Sequence, residues 1–277
     1  MRRIVAAVAL ILGTVACGGP SAPPAGSLPA SDHVHALRTA GDGSLLLGLH
    51  GALWRSDDGE AWEPLGLEGQ DAMALGVAEH GQPLPVGGHD VLARSTDGGT
   101  TFEMLSPQLP SRDVHALAQA PSDPKVVYAY IVGAGVYRSV DAGDTWTAEA
   151  AVGKQLPGDL AAMAVDPTDP DIVLAGSGGN GVFRSSDGGT SFVRTTDWGS
   201  FGLAFAADGT VLAATRQGVD VSEDGGITWD TAAPADVFDG QPLAVAIATD
   251  GTWWVVTETP RVLYRNSGSG FHEVARA

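Results

Sequence analysis

The chain of 277 residues has one cysteine, two lysines and no apolar run longer than about a dozen residues. With Cys17 alone, no intrachain disulfide can form and no second thiolate is available as a ligand. An apolar run that short does not span a bilayer. Basic residues are scarce: 15 Lys+Arg against 33 Asp+Glu leave a formal net charge of -18. A surface this acidic repels phosphate backbones and anionic headgroups, which excludes nucleic acid as a partner. Charged residues make up only 17% and hydrophobic residues 44%, so the chain is not a disordered polyanion and can build a core. No strand-to-helix phosphate loop, nucleophile elbow or CxxC occurs, and no nucleotide cofactor is expected. What is plentiful is glycine, 38 residues, which implies many tight turns. A helical bundle fits this poorly; one large all-β domain fits the length.

The N-terminus reads as an address. Met1-Arg2-Arg3 is a positive end, and Ile4 to Val15 is apolar, as in a secretory signal. Leu12-Gly13-Thr14-Val15-Ala16-Cys17 resembles a bacterial lipobox, with Thr14 where Leu is usual. The resemblance implies that residues 1–16 are a lipoprotein signal peptide and that Cys17 is the lipidated first residue of the mature chain. Its only membrane contact would then be the lipid, on the extracytoplasmic face of a bacterial envelope. Residues 17–31, rich in Gly, Pro, Ser and Ala, are expected to be a flexible tether, and 32–277 the folded domain.

A repeat of about forty residues sets the fold. Four segments match Ser-x-Asp-x-Gly-x-Thr/Ser-aromatic: those around Asp97, Asp141, Asp187 and Asp224, ending at Phe102, Trp146, Phe192 and Trp229. A copy one residue short surrounds Asp58 and ends at Trp62, and a worn sixth ends at Phe271 without the Asp. Successive terminal aromatics lie 40, 44, 46, 37 and 42 residues apart. Each interval carries four short strand patterns, the signature of a β-propeller. Residues 32–277 number 246, which divided by six gives 41, so six four-stranded blades are expected, with seven as the alternative. The Asp carboxylate can accept hydrogen bonds from its own turn, and the Gly two positions on permits positive φ. These carboxylates are therefore assigned to structure.

Blades aligned on their turns place one residue of each first strand at one mouth of the central channel: His35, Met73, His115, Ala161, Phe201 and Leu243. Two residues earlier, on the same side of each strand, stand His33, Asp71, Asp113, Asp159, Gly199 and Gln241. The turn after the second strand adds His50 in blade 1 and His89 in blade 2. Five of the seven histidines thus converge on one mouth within blades 1 to 3, apart from His80 and His272. Imidazole with thioether suits copper; imidazole with carboxylate suits zinc. A site of His33, His35, His50, Met73, His89 and His115 is therefore expected, binding copper or zinc. Asp71 and Asp113 would be ligands or hold the imidazole N–H groups. The same residues would alternatively line a pocket for a small organic ligand.

The repeats match the Asp-box, and the whole mature chain resembles bacterial Asp-box (BNR-repeat) propeller lipoproteins labelled glycosyl-hydrolase- or sialidase-like. The matching pieces are His33-Val-His35-Ala-Leu37, Leu49-His50-Gly51, Asp71-Ala-Met73 and Gly87-Gly88-His89, with Ala36 and Ala72 departing from the family's Gly and aromatic. A sialidase needs three converging arginines. Here Arg55, Arg94, Arg138, Arg184 and Arg265 all precede the Asp turns, on the other face, and no Arg-Ile-Pro motif exists. A different glycosidase would use two of Asp71, Asp113 and Asp159 as acid and base, and a glycan-binding propeller would use the same three carboxylates. A third alternative is an envelope assembly scaffold with an unidentified protein partner. The expected function is a non-catalytic, lipid-anchored propeller that binds a metal.

Overall fold

The computed structural model describes residues 20–77 and 81–277. The expected signal segment, Cys17 and His80 lie outside the described residues. Within them, 24 strands form six antiparallel sheets of four consecutive strands each. The chain is a six-bladed β-propeller, and the seven-blade alternative is excluded. The inner strands are Val34–Thr39, Ala74–Leu75, Val114–Gln119, Leu160–Val165, Ser200–Phe205 and Gln241–Ile247, and successive ones pack against each other around the axis. The outermost strand of a blade is as short as two residues, Glu63–Pro64 in blade 1, and as long as six, Phe271–Arg276 in blade 6.

The core lies in the seams between blades. Leu45–Leu49, Val127–Ile131 and Val211–Thr215, all second strands, are buried at every residue because a neighbouring blade covers each face. That is why they read as unbroken apolar runs rather than alternating ones. The seam between blades 1 and 2 is so tight that a Cβ on Gly48 would stand 2.1 Å from the Ala72 carbonyl oxygen.

Four of the five Asp turns share one hydrogen-bond pattern. Asp97 Oδ1 accepts from Thr101 N at 2.9 Å and Ser95 Oγ at 2.8 Å, while Oδ2 accepts from Thr101 Oγ1 at 2.6 Å. Asp141, Asp187 and Asp224 repeat this with Thr145, Ser191 and Thr228. Asp58, in the shortened copy, accepts from the N–H groups of Glu60 and Ala61. The hydroxyls of Thr101 and Thr228, reinforced by backbone N–H groups, hold Asp97 and Asp224 down to about 2.

The segment expected to be tether docks across the seam where blades 1 and 6 close the ring. Ser27 bridges in parallel to Arg276, and Leu28 N donates to Arg276 O at 3.0 Å. Leu28 is 4% exposed in the seam between blades 1 and 6, and the Arg261 guanidinium donates to the carbonyls of Pro29 and Ser31. The boundary expected at residue 32 therefore moves back: residues 26–31 belong to the wheel. Composition misled here because Gly, Pro and Ser, poor in apolar surface, suit an edge segment as well as a free one.

Candidate functional site

Five of the six inner strands reach the channel mouth through a bulge. Val34 pairs with Leu49 and Ala36 with Gly48, which leaves His35 as the extra residue. The same interruption falls at His115, Ala161, Phe201 and Leu243. In blade 2, Met73 sits just before the two-residue strand Ala74–Leu75 and donates its N–H to Gly87 O at 2.9 Å. A bulged residue has no ladder partner and its side chain is re-aimed. All six of these side chains, the row expected from sequence, line one cavity of about 290 Å³ together with Asp159.

Asp71 is the centre of the histidine group. Its side chain is 11% exposed; Oδ1 lies 3.0 Å from His50 Nδ1 and accepts from Gly51 N at 3.1 Å, while Oδ2 lies 2.7 Å from His89 Nδ1. The rings of His33 and His35, and of His35 and His50, have centroids 6.3 Å apart, and His89 stands edge-on to His115 at 5.1 Å. Two sets, His50–Asp71–His89 and His89–Asp113–His115, each bring one donor atom per residue within 4.8 Å of the others. His33 is the outlier, exposed and 3.3 Å from Glu258 of blade 6.

Buried polar atoms at this mouth lack partners among the described residues. His35 Nε2, His115 Nε2, Asp113 Oδ1 and the Tyr130 hydroxyl accept or donate no hydrogen bond among the described residues. Asp113 Oδ1 and His115 Nε2 are 3.1 Å apart but not aligned for a hydrogen bond. Burial pulls the His35 imidazole down to about 4, against the Asp71 charge, with neighbouring His33, His50 and His89 adding to the fall. His35 is therefore neutral near pH 7, the state in which imidazole binds a metal. Burial, helped by the Asp159 and Asp113 charges, raises the Tyr130 phenol.

Asp159 stands apart from the histidines. Its oxygens accept from Ser177 Oγ at 2.7 Å and from Asn180 Nδ2 at 3.0 and 3.1 Å. His272 lies on the outer strand of blade 6 beside Ser269. Sequence reasoning missed Tyr130 and Glu258. Both sit in regular strands, Glu258 as the last residue of Trp253–Glu258 and Tyr130 as the last but one of Val127–Ile131, and only that position at the same end as the histidines could have marked them.

Neither a known protein-family model nor a curated protein matches the chain. Solved structures share its fold. A xyloglucanase of glycoside hydrolase family 74 from Xanthomonas campestris superposes with a TM-score of 0.59 at 17% identity, covering 91% of this chain and 46% of that one. The extracellular domain of a hybrid two-component system from B. thetaiotaomicron gives 0.60 at 13% identity, over 88% of this chain and 39% of that one. YCF48 bound to a D1 peptide gives 0.51 at 14% identity, over 70% of this chain and 64% of that one. The chain thus spans less than two thirds of each of these structures, and the likeness is one of fold.

Proposed function

We propose that this chain is a non-catalytic, lipid-anchored extracytoplasmic propeller that binds one transition-metal ion at the His-rich mouth, zinc before copper. The observation that carries the reading is Asp71, one largely buried carboxylate spanning the Nδ1 atoms of two histidines from adjacent blades. With Nδ1–H donated to Asp71, His50 and His89 each keep the Nε2 lone pair for an ion, and the carboxylate strengthens both as ligands. His35, held neutral and with its ring 6.3 Å from that of His50, and the unpartnered His115 Nε2, on a ring 5.1 Å from that of His89, are the further donors. Imidazole and carboxylate together suit zinc; the Met73 thioether in the lining is what would admit copper. The lipid anchor rests on the lipobox-like run ending at Cys17.

The test is elemental analysis after dialysis against a weak chelator. About one zinc per chain is expected for the native protein, and none for His50→Ala with His89→Ala or for His35→Ala with His89→Ala. Unchanged metal content in those variants, or none in the native protein after zinc loading, overturns the reading. The glycosidase alternative needs two disengaged carboxylates, whereas Asp71 is bound by His50, Gly51 and His89, and Asp159 by Ser177 and Asn180. Hydrolysis of aryl glycosides that disappears in Asp113→Asn would replace the metal reading with that one.

A further inference from the structure

The opposite end of the channel holds a second cavity, built around an arginine. It measures about 160 Å³ and is lined by Arg38, Leu75, Val165, Phe205 and Ile247, and it opens through the exposed Gly41, Ala207 and Thr249. Arg38 lies three residues past the bulge at His35. The same register holds Gly76, Ala118, Ala164, Ala204 and Ala246 in blades 2 to 6, so one blade projects a guanidinium and the others leave it room. All four of these alanines line the cavity.

The guanidinium reaches across the axis. Nη1 donates to Leu37 O at 3.0 Å and to Leu203 O at 3.4 Å, and Nη2 donates to Met163 O at 3.2 Å. Three of its five N–H donors are thereby used. Nε–H, on the edge that a carboxylate grips at two points, has no acceptor among the described residues. No acid among the described residues pairs with Arg38 there either, in a chain of net charge -18. Burial pulls its guanidinium down to about 10, the mark of a cation short of compensating charge.

We infer that this end of the channel binds a small organic carboxylate, its anionic head on Arg38 and its apolar body against Leu75, Phe205 and Ile247. The lining disfavours a hydrated inorganic anion, and a cavity of about 150 Å³ is known to hold a benzene-sized ligand. This site is independent of the metal proposed at the other mouth.

Benzoate is the probe, with benzamide as its uncharged isostere, read by thermal unfolding and calorimetric titration of the purified chain. Millimolar benzoate is expected to raise Tm and give saturable heat, benzamide neither, and Arg38→Met is expected to lose the response. Ala206→Phe, a half-buried position in the lining, blocks the cavity while keeping Arg38 and serves if Arg38→Met does not fold. Equal responses to benzoate and benzamide, no response to either, or benzoate binding retained in both variants would overturn the inference. Since His50→Ala with His89→Ala leaves this end untouched, its benzoate response is expected to match the native protein, whatever its zinc content.

Discussion

Replacing Asp71 with asparagine separates an organised metal site from a chance gathering of imidazoles. The side chain keeps its size, and its Oδ1 can still accept from Gly51 N and from His50, 3.1 and 3.0 Å away. The other arm, now Nδ2–H, can only donate. It faces His89 Nδ1 at 2.7 Å, so His89 must present a lone pair there and carry its proton on Nε2, the nitrogen intended for the ion. One ligand is lost to the wrong tautomer and the other keeps only a neutral hydrogen-bond partner. Loss of a single outer carboxylate contact costs about 10- to 100-fold in affinity. With two rings served by one group, we expect a fall of about 100-fold, or about 2.8 kcal/mol. Competition calorimetry with zinc and a chelator of known affinity at pH 7.5 reads this directly. Asp159→Asn is the control: it lines the channel cavity with His35 and His115 but is tied to Ser177 and Asn180, and it should change zinc affinity less than about 3-fold. If Asp71→Asn binds zinc as the native protein does, or if both variants weaken alike, Asp71 does not organise the ligands and the reasoning fails.

Acid should destabilise the fold through His35. Its folded value of about 4 lies below the ordinary 6.5, so below pH 6.5 the unfolded chain takes up a proton that the fold refuses; stability is lost as pH falls from 6.5 toward 4. From pH 7.5 to 4.5 this amounts to about 2 kcal/mol, measured by urea unfolding and expected to vanish in His35→Phe. Zinc affinity should fall over the same acid range, and pH-independent binding between 7.5 and 5 would remove imidazole as the ligand. Asp224→Ala removes acceptors for the N–H groups of Ile227 and Thr228 and for the Thr228 hydroxyl, and should cost about 1–2 kcal/mol in urea unfolding without altering zinc binding. Gly48→Ala would drive a methyl against the Ala72 carbonyl and should cost about 3 kcal/mol; native-like stability would mean that the seam between blades 1 and 2 can open.

The contrast between the two ends of the channel shows what residue counting could and could not read. Strand alternation placed His35, Met73, His115, Ala161, Phe201 and Leu243 in one row because all six sit at equivalent positions before the ladder becomes regular. Unbroken alternation from His35 leads on to Leu37 and Thr39. The bulge at His35 adds a residue to the strand, so the spacing to the next inward side chain becomes three, and Arg38 enters the axis instead. Nothing in His33-Val-His35-Ala-Leu37-Arg38 announces that extra residue, since a bulge is a property of pairing with Leu45–Leu49 rather than of the strand alone. The docking of Leu28 was hidden for a related reason: its partner, Arg276, lies at the other end of the chain, and a single bridge leaves no periodicity to detect. Tyr130 was passed over because Val127–Ile131 carries apolar residues on both faces, and a phenol inside such a run reads as packing until its hydroxyl is found unpartnered near Asp113 and Asp159. Local rules therefore locate residues up to the first irregularity of a strand, and the chemistry of this wheel begins at that irregularity. The bulge turns His35 toward its neighbours at one mouth and, by the same added residue, turns Arg38 toward the other. Deleting one residue of the Val34–Ala36 step while keeping the ladder would therefore disturb both ends of the channel at once. Loss of both the zinc and the benzoate responses in such a variant, with the fold retained, is the joint outcome that this geometry requires.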